Sequence, residues 1–214
     1  MKIFFDNLLD WIYKKKCYFC GKSNESVEMC SSCYDELESL PVQINRKFNG
    51  VNIYCAGTYS KNLQKMIRGL KYHRQKDLAY YQAKFMWEYW QKLNIEGNFK
   101  IIPVPIFPKR KKQRKYNHME LVALEFSKLS GYDVDFELIK RIKDTKPQYK
   151  LNKTQRMLNL DKAFEVSGEI SDNEKILIID DICTTGSTFE EMIRALNNAE
   201  IFDITCFATT TPFN

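Results

Sequence analysis

The segment "ILIIDDICTTGSTFEEM" places Asp180 and Asp181 directly after a run of aliphatic residues, with two residues between them and Thr184, Thr185, Gly186, Ser187 and Thr188. The apolar run reads as a buried strand, and in an open α/β sheet ligands bind beyond the carboxyl ends of the strands. A glycine in the following turn lets backbone N–H groups converge with no Cβ in the way. The sequence after it is helical in pattern, so the positive end of a helix dipole faces the turn. Four hydroxyl side chains around that glycine add donors. Such a loop is a phosphate cradle, and carboxylates one loop away can accept hydrogen bonds from sugar hydroxyls. The chemistry suited to these residues is the binding of a sugar that carries a phosphate.

A second constellation lies near the start of the chain. "CYFCGKSNESVEMCSSC" spaces Cys17, Cys20, Cys30 and Cys33 as C-x2-C-x9-C-x2-C. Each C-x2-C turn offers two thiolates, and two such turns complete a tetrahedral site for a structural Zn2+; an iron–sulfur cluster is the alternative. Gly21-Lys22-Ser23 within this stretch is not a phosphate-binding P-loop, because the earlier glycine would fall at Lys16. Of the other three cysteines among the seven, Cys55 and Cys206 sit in strand-like stretches and read as buried thiols, and Cys183 reads the same way. An odd cysteine count without an export signal argues against a disulfide framework.

The third feature is charge. Lys+Arg number 33 against 27 Asp+Glu, a net +6, and the excess is concentrated. "PKRKKQRKYNH" holds Lys109, Arg110, Lys111, Lys112, Arg114 and Lys115 within seven positions, followed by Asn117, and a second basic stretch runs from Lys140 to Arg156. A cationic loop after a strand end suits the oxygens of a pyrophosphate or the backbone of a nucleic acid.

The elements needed to position these groups are legible in outline. The 214 residues, 44% hydrophobic and 14% aromatic, allow one ordinary domain and a small appendage. Residues 1–15 read as an amphipathic helix, 51–59 as a strand, and 61–72 as a helix. Residues 76–93 carry an apolar stripe of Leu78, Tyr81, Phe85, Tyr89 and Leu93 at helical spacing. A short strand spans 100–106, and 117–130 is expected to be helical with Leu121, Leu124 and Leu129 inward. Residues 143–158 are polar, basic and weakly patterned. A strand at 175–180, a helix near 187–197 and a terminal strand "FDITCFATTT" complete the chain. Strands alternating with helices predict an α/β fold with a largely parallel sheet. The boundaries expected are 1–45 for the helix and cysteine module and 46–214 for the α/β domain. No apolar run is long enough to span a membrane and the N-terminus does not read as a signal peptide, so the expected location is the cytoplasm.

"ILIIDDICTTGST" resembles the phosphoribosyl pyrophosphate (PRPP) motif of type I phosphoribosyltransferases. The resemblance implies a type I phosphoribosyltransferase-like parallel sheet flanked by helices. It also implies that the acidic pair holds the ribose 2′ and 3′ hydroxyls, that the loop holds the 5′-phosphate, and that PRPP arrives with Mg2+. More widely, residues 17 to about 192 resemble the ComF family of competence-associated, phosphoribosyltransferase-like proteins. The likeness rests on the cysteine motif, Pro103-Val104-Pro105, and Arg114-Lys115-Tyr116-Asn117-His118 at the family's Arg-Gly-Phe-Asn-Gln turn. It continues through Arg141, Thr145, Gln148, Leu151, Arg156, Asn159 and Phe164 at the family's spacing. Lys115, Tyr116 and His118 replace the family's glycine, phenylalanine and glutamine. Thr145, Gln148 and Arg156 would belong to a flexible loop. The family setting is natural transformation, with single-stranded DNA and other competence proteins as expected partners. Tyr116, Tyr149 and Phe107 lie in or near basic stretches and could stack on bases. Two roles therefore remain open: a PRPP-binding protein of DNA uptake, or an active phosphoribosyltransferase. No residue is singled out as the catalytic base.

Overall fold

The computed structural model describes residues 16–23, 28–38, 46–144, 162–168, 170 and 174–212. Residues 1–15, and with them the expected first helix, lie outside the described residues.

The strand with the strongest sequence signal sits inside the main sheet. This strand, β7 (Lys175–Ile182), has Ile176, Leu177, Ile178 and Ile179 all fully buried. Burying each such side chain stabilises the fold by about 1.5–3 kcal/mol, which is reason enough for an uninterrupted apolar run to take the centre. On one side it pairs with β8 (Ile204–Thr211), which pairs in turn with β2 (Val51–Thr58); on the other it pairs with β3 (Phe99–Pro103), then β4 (Asp133–Val134). All these pairings are parallel. The short strand β1 (Arg46–Phe48) is antiparallel to β2 and completes the order β1-β2-β8-β7-β3-β4. The expected α/β architecture with a mostly parallel sheet is the one observed.

Side chains of a strand alternate between faces, so the sheet has two cores. One contains Leu177, Ile179 and Phe207; the other contains Ile176, Ile178 and Cys206. The first face is covered by α2 (Lys61–Tyr72), α3 (Leu78–Lys92) and α5 (His118–Ser130). Ser60 caps α2 by accepting from Leu63 N at 3.3 Å, and Gly131, at φ 78°, ends α5 in the left-handed region that glycine tolerates. The second face is covered by α6 (Ser187–Asn198) and by a separate antiparallel pair, β5 (Ile139–Arg141) with β6 (Phe164–Val166).

The cysteine module does not stand apart. Its α1 (Ser31–Glu38) and neighbouring residues put Met29, Tyr34 and Leu37 into the same apolar cluster as Leu63, Met66 and Met86. Tyr18 O–H bonds His73 Nδ1 across 2.6 Å, and Lys65 donates to the Phe19 carbonyl at 3.0 Å.

Two expectations need correction. Leu124 is 44% exposed, and Leu121 and Leu129 only border the core; the inward face of α5 is Met119, Val122, Ala123 and Phe126. Those four share one face at i, i+3, i+4 and i+7, and 121 and 124 fall toward the other side of the helix. The "cationic loop" is also a helix, α4 (Pro108–Arg114). Pro108 opens it with a pre-set φ, and Lys, Arg and Gln are good helix formers. It buries no residue. Lys115, which follows it at φ 70°, occupies a conformation that glycine adopts without strain.

Candidate functional site

β7 carries both aspartates at its carboxyl end. Alternation sends them to opposite faces, Asp180 with Ile176 and Ile178, Asp181 with Leu177 and Ile179. Their surroundings differ accordingly.

Asp181 is 4% exposed. Its Oδ2 receives the Lys71 ammonium from the end of α2 and His118 Nε2 from the start of α5, the latter at 2.5 Å. Burial by itself would raise this carboxyl, but the adjoining Lys71 charge and His118 donor hold it well below the usual carboxylate range. Burial likewise works against charge on Lys71, and the Asp181 carboxylate overrides it, so the lysine is raised and stays protonated. His118 is lowered, burial outweighing the pull of Asp181, so its imidazole is neutral.

Asp180 is half-buried and accepts from Asp181 N at 2.8 Å. Burial, then the Asp181 charge beside it, push it up to about 7. One carboxylate is thus fixed and ionised, and the other is poised to gain or lose a proton near neutrality.

The loop follows. Cys183 is buried and ties its N–H to Thr210 O at 2.8 Å, as expected of a packed thiol; Cys55 and Cys206 are buried too. Gly186 stands at φ 86°. Thr185 Oγ1 and Ser187 Oγ share a hydrogen bond of 2.7 Å, and Thr184 and Thr188 are half-buried beside them. The N-terminus of α6 opens at Ser187. The amide end of this helix and its dipole suit an anion there.

Around the same end of the sheet, α4 presents its cations. Lys109 pairs with Asp144 at 3.5 Å and Lys111 with Glu120 at 2.7 Å; Arg114 lies over the exposed Tyr72 ring, 5.2 Å from its centroid. Lys111, Lys112 and Lys115 line one wall of a groove of about 500 Å³, and Phe136, Lys140 and Arg141 line the other. Asn117, grouped in the sequence with these cations, is 1% exposed: it caps α5 by accepting from Met119 N and donates to Val104 O at 3.0 Å. Tyr116 is also internal, its hydroxyl donating to Leu70 O, so its ring is not a stacking surface; Phe107 is half-buried. Thr145, Gln148, Tyr149 and Arg156 lie outside the described residues.

Sequence reading missed Lys71 and the role of His118. Lys71 closes an amphipathic helix as many lysines do, and no local pattern marks it. His118 stood out only as a substitution for glutamine. Arg141, named in the sequence by its place in the family's spacing and in a basic run, is 8% exposed, lies 5.4 Å from the Phe164 ring centroid and lines the groove.

The cysteine cluster is assembled as its spacing suggested. The Sγ atoms of Cys17, Cys20, Cys30 and Cys33 all lie within 4.8 Å of one another, with Cys17–Cys33 at 3.9 Å and Cys20–Cys30 at 3.7 Å. A tetrahedron of thiolates at the usual zinc–sulfur distance of ~2.3 Å has edges of roughly 3.8 Å. A hydrogen bond from Ser32 heads the influences that bring Cys30 down to about 6, while burial pushes Cys33 up. Four converging sulfurs of this kind could hold a metal ion.

Residues 120–210 match the family described as "Phosphoribosyl transferase domain". The chain is 26% identical to "Competence protein F" of Haemophilus influenzae over 200 residues, 88% of this chain and 86% of that protein. It is 25% identical to "DNA utilization protein YhgH" of Salmonella typhimurium over 205 residues, 91% of this chain and 90% of that one. It is 23% identical to "Competence protein ComFC" of Bacillus subtilis over 186 residues, 84% of this chain and 70% of that one. Among the described residues no helix is long and apolar enough to cross a membrane. With its strand–Asp–Asp–loop–helix site and its cysteine cluster, this chain matches the phosphoribosyl transferase domain over residues 120–210 and is similar, over most of its length, to the competence protein F, ComFC and YhgH proteins.

Proposed function

We propose that this protein binds PRPP, as its magnesium complex, at the carboxyl end of β7, and that it acts in the cytoplasm in the uptake of DNA during natural transformation. The observation that carries the binding half is the meeting of Asp180 and Asp181 with the Thr184–Thr188 loop at the N-terminus of α6. Hydroxyls of a ribose can donate to the carboxylates, and a 5′-phosphate suits the amides and hydroxyls of the loop. The biological half leans on the names of the relatives, which speak of competence and DNA utilization. Single-stranded DNA would run along α4, its phosphates on Lys109, Arg110, Lys111, Lys112 and Arg114. The second wall of the groove adds Lys140 and the 40%-exposed Phe136, a ring on which a base can stack. Zn2+ in the cysteine cluster would stabilise the N-terminal module of residues 1–45 against the domain of residues 46–214, and other competence proteins are further partners in this reading.

A second reading, an active phosphoribosyltransferase of nucleobase or nucleotide metabolism, is favoured by the domain match itself. There the cations around the site would stabilise charge developing on departing pyrophosphate. The experiment is calorimetry of PRPP with Mg2+ on wild type and on Asp180→Asn with Asp181→Asn, with pyrophosphate release followed in the presence of nucleobases or single-stranded DNA. Binding that the folded double variant loses supports the site. Equal affinity in both proteins sinks it. Pyrophosphate release that needs an added acceptor moves the conclusion to the second reading.

A further inference from the structure

Asp181 is the point where three elements end. β7 delivers the carboxylate, α2 delivers Lys71 and α5 delivers His118. The two helix ends are themselves tied down. Tyr116 O–H donates to Leu70 O, one residue before Lys71, and Asn117 fixes the first turn of α5 to Val104 O at the end of β3. Neither donor has much freedom: the Lys71 side chain is 18% exposed and that of His118 is 5% exposed. Both donors fall on Oδ2. Among the described residues no hydrogen bond reaches Oδ1. Asp180, on the other face, has neither donor.

We propose that Lys71 and His118 are positioning residues for sugar binding: together they lock Asp181 in one rotamer through Oδ2 and leave Oδ1 as the acceptor for one ribose hydroxyl. The inference rests on the PRPP reading above and deepens it. A carboxylate free to rotate would have to give up that freedom when the ligand arrives, and pre-fixing it removes that loss. The two donors contribute differently. Lys71 supplies the charge that keeps a buried carboxylate ionised. His118, kept neutral by its burial, supplies a directed N–H from Nε2, and among the described residues its buried Nδ1 has no hydrogen-bond partner. A directed N–H without charge is also what a glutamine amide offers, so the geometry asks for a donor at position 118 rather than for an imidazole.

The test compares wild type, Lys71→Met, His118→Leu and His118→Gln. PRPP affinity with Mg2+ is measured by calorimetry, inorganic pyrophosphate affinity by competition, and folding by circular dichroism and thermal melting. Positioning predicts that His118→Leu and Lys71→Met weaken PRPP by about tenfold or more, a shift of about 1.4 kcal/mol. His118→Gln should recover most of the loss. Pyrophosphate has no ribose, so its affinity should stay within about twofold in every folded variant. If His118→Leu does not fold, His118→Gln still decides: a folded Gln variant that has lost tenfold in PRPP overturns the donor role. A Lys71→Met protein that loses pyrophosphate as well overturns the positioning role of Lys71, because the lysine then touches the ligand. Wild type that binds PRPP while His118→Leu binds it equally overturns the inference alone. Wild type that binds no PRPP overturns the reading beneath it and the inference with it.

Discussion

Asp181 and Lys112 are single charges that flank the same end of the sheet. Asp181 is 4% exposed and held by donors from two helices; Lys112 is exposed on a seven-residue helix that buries nothing. The first charge exists only because its partners do, since an unpaired carboxylate in that place would be protonated or would unfold its surroundings. The second is hydrated whether or not it has a partner. Charges of the first kind act as a unit, and substituting one disturbs the others. Charges of the second kind add nearly independently and fade with salt. The acidic site therefore supplies geometry, whereas the basic helix supplies attraction.

Removing groups of each kind should separate the two behaviours. The largest effect belongs to a largely buried cluster, the four cysteines. If they hold zinc, chelation should loosen Met29, Tyr34 and Leu37 from the core they share with α2 and α3. Burial of each is worth about 1.5–3 kcal/mol. Metal analysis should give about one zinc per chain, and melting with and without chelator, alongside Cys30→Ser, should show a large drop. Purified protein without metal, or with iron and a visible chromophore, would remove this expectation.

Asp181→Asn comes next. It leaves Lys71 buried opposite a neutral amide, and breaking such a pair costs about 3–5 kcal/mol. Urea unfolding measures it, and a loss under about 1 kcal/mol would mean that the pair is as weakly coupled as a surface one.

Asp180→Asn should move the other way. Its carboxyl titrates near 3.8 ordinarily and at about 7 in the fold. Between those values the folded chain holds a proton that the unfolded chain has lost, so this group lowers stability as pH rises through that window. Replacing it should stabilise the protein at about pH 8 by on the order of 1–2 kcal/mol, with the gain shrinking toward about pH 4. The same variant should bind PRPP less well, a stability gain at the expense of function. A gain that grows on acidification would contradict the assignment.

The smallest effect on stability should come from Lys109→Ala with Lys111→Ala and Lys112→Ala. The two ion pairs lost, with Asp144 and Glu120, are exposed and together should cost at most about 1 kcal/mol. Binding should respond instead. The salt dependence of single-stranded DNA affinity should flatten by about two units of slope, at roughly 0.7 per phosphate neutralised, in an anisotropy titration. Identical slopes for wild type and variant would place DNA elsewhere.

The contrast also explains what was legible in the sequence. Ile176–Thr188 could be read because its chemistry is local: strand, carboxylates, loop and helix follow one another without a gap. The cysteine pairs were legible because a metal site repeats a short turn. Lys71 and His118 were not, because their role exists only where α2 and α5 end against β7, and 110 residues of sequence separate Lys71 from Asp181. Phe136 escaped for the same reason, being joined to α4 only across a groove. The helical state of 108–114 was masked by its charge, which drew attention from Pro108 and the helix-forming residues after it. The inward face of α5 was misread because leucines were counted where Met119, Val122, Ala123 and Phe126 do the packing.

Tyr18, one residue after the first cysteine, bonds His73 and lies against Gly69; a Cβ at that glycine would come within 3.1 Å of the tyrosine ring. Lys71 stands between those two positions on the same helix end. The metal cluster and the carboxylate thus bear on one short piece of α2 from either side, and whatever free energy passes between them must pass equally in both directions. If loading the cysteines tightens PRPP binding by some factor, PRPP must raise the affinity for the metal by the same factor, so an equilibrium chelator titration run with and without the sugar phosphate reads the strength of that linkage from the side where no sugar binds.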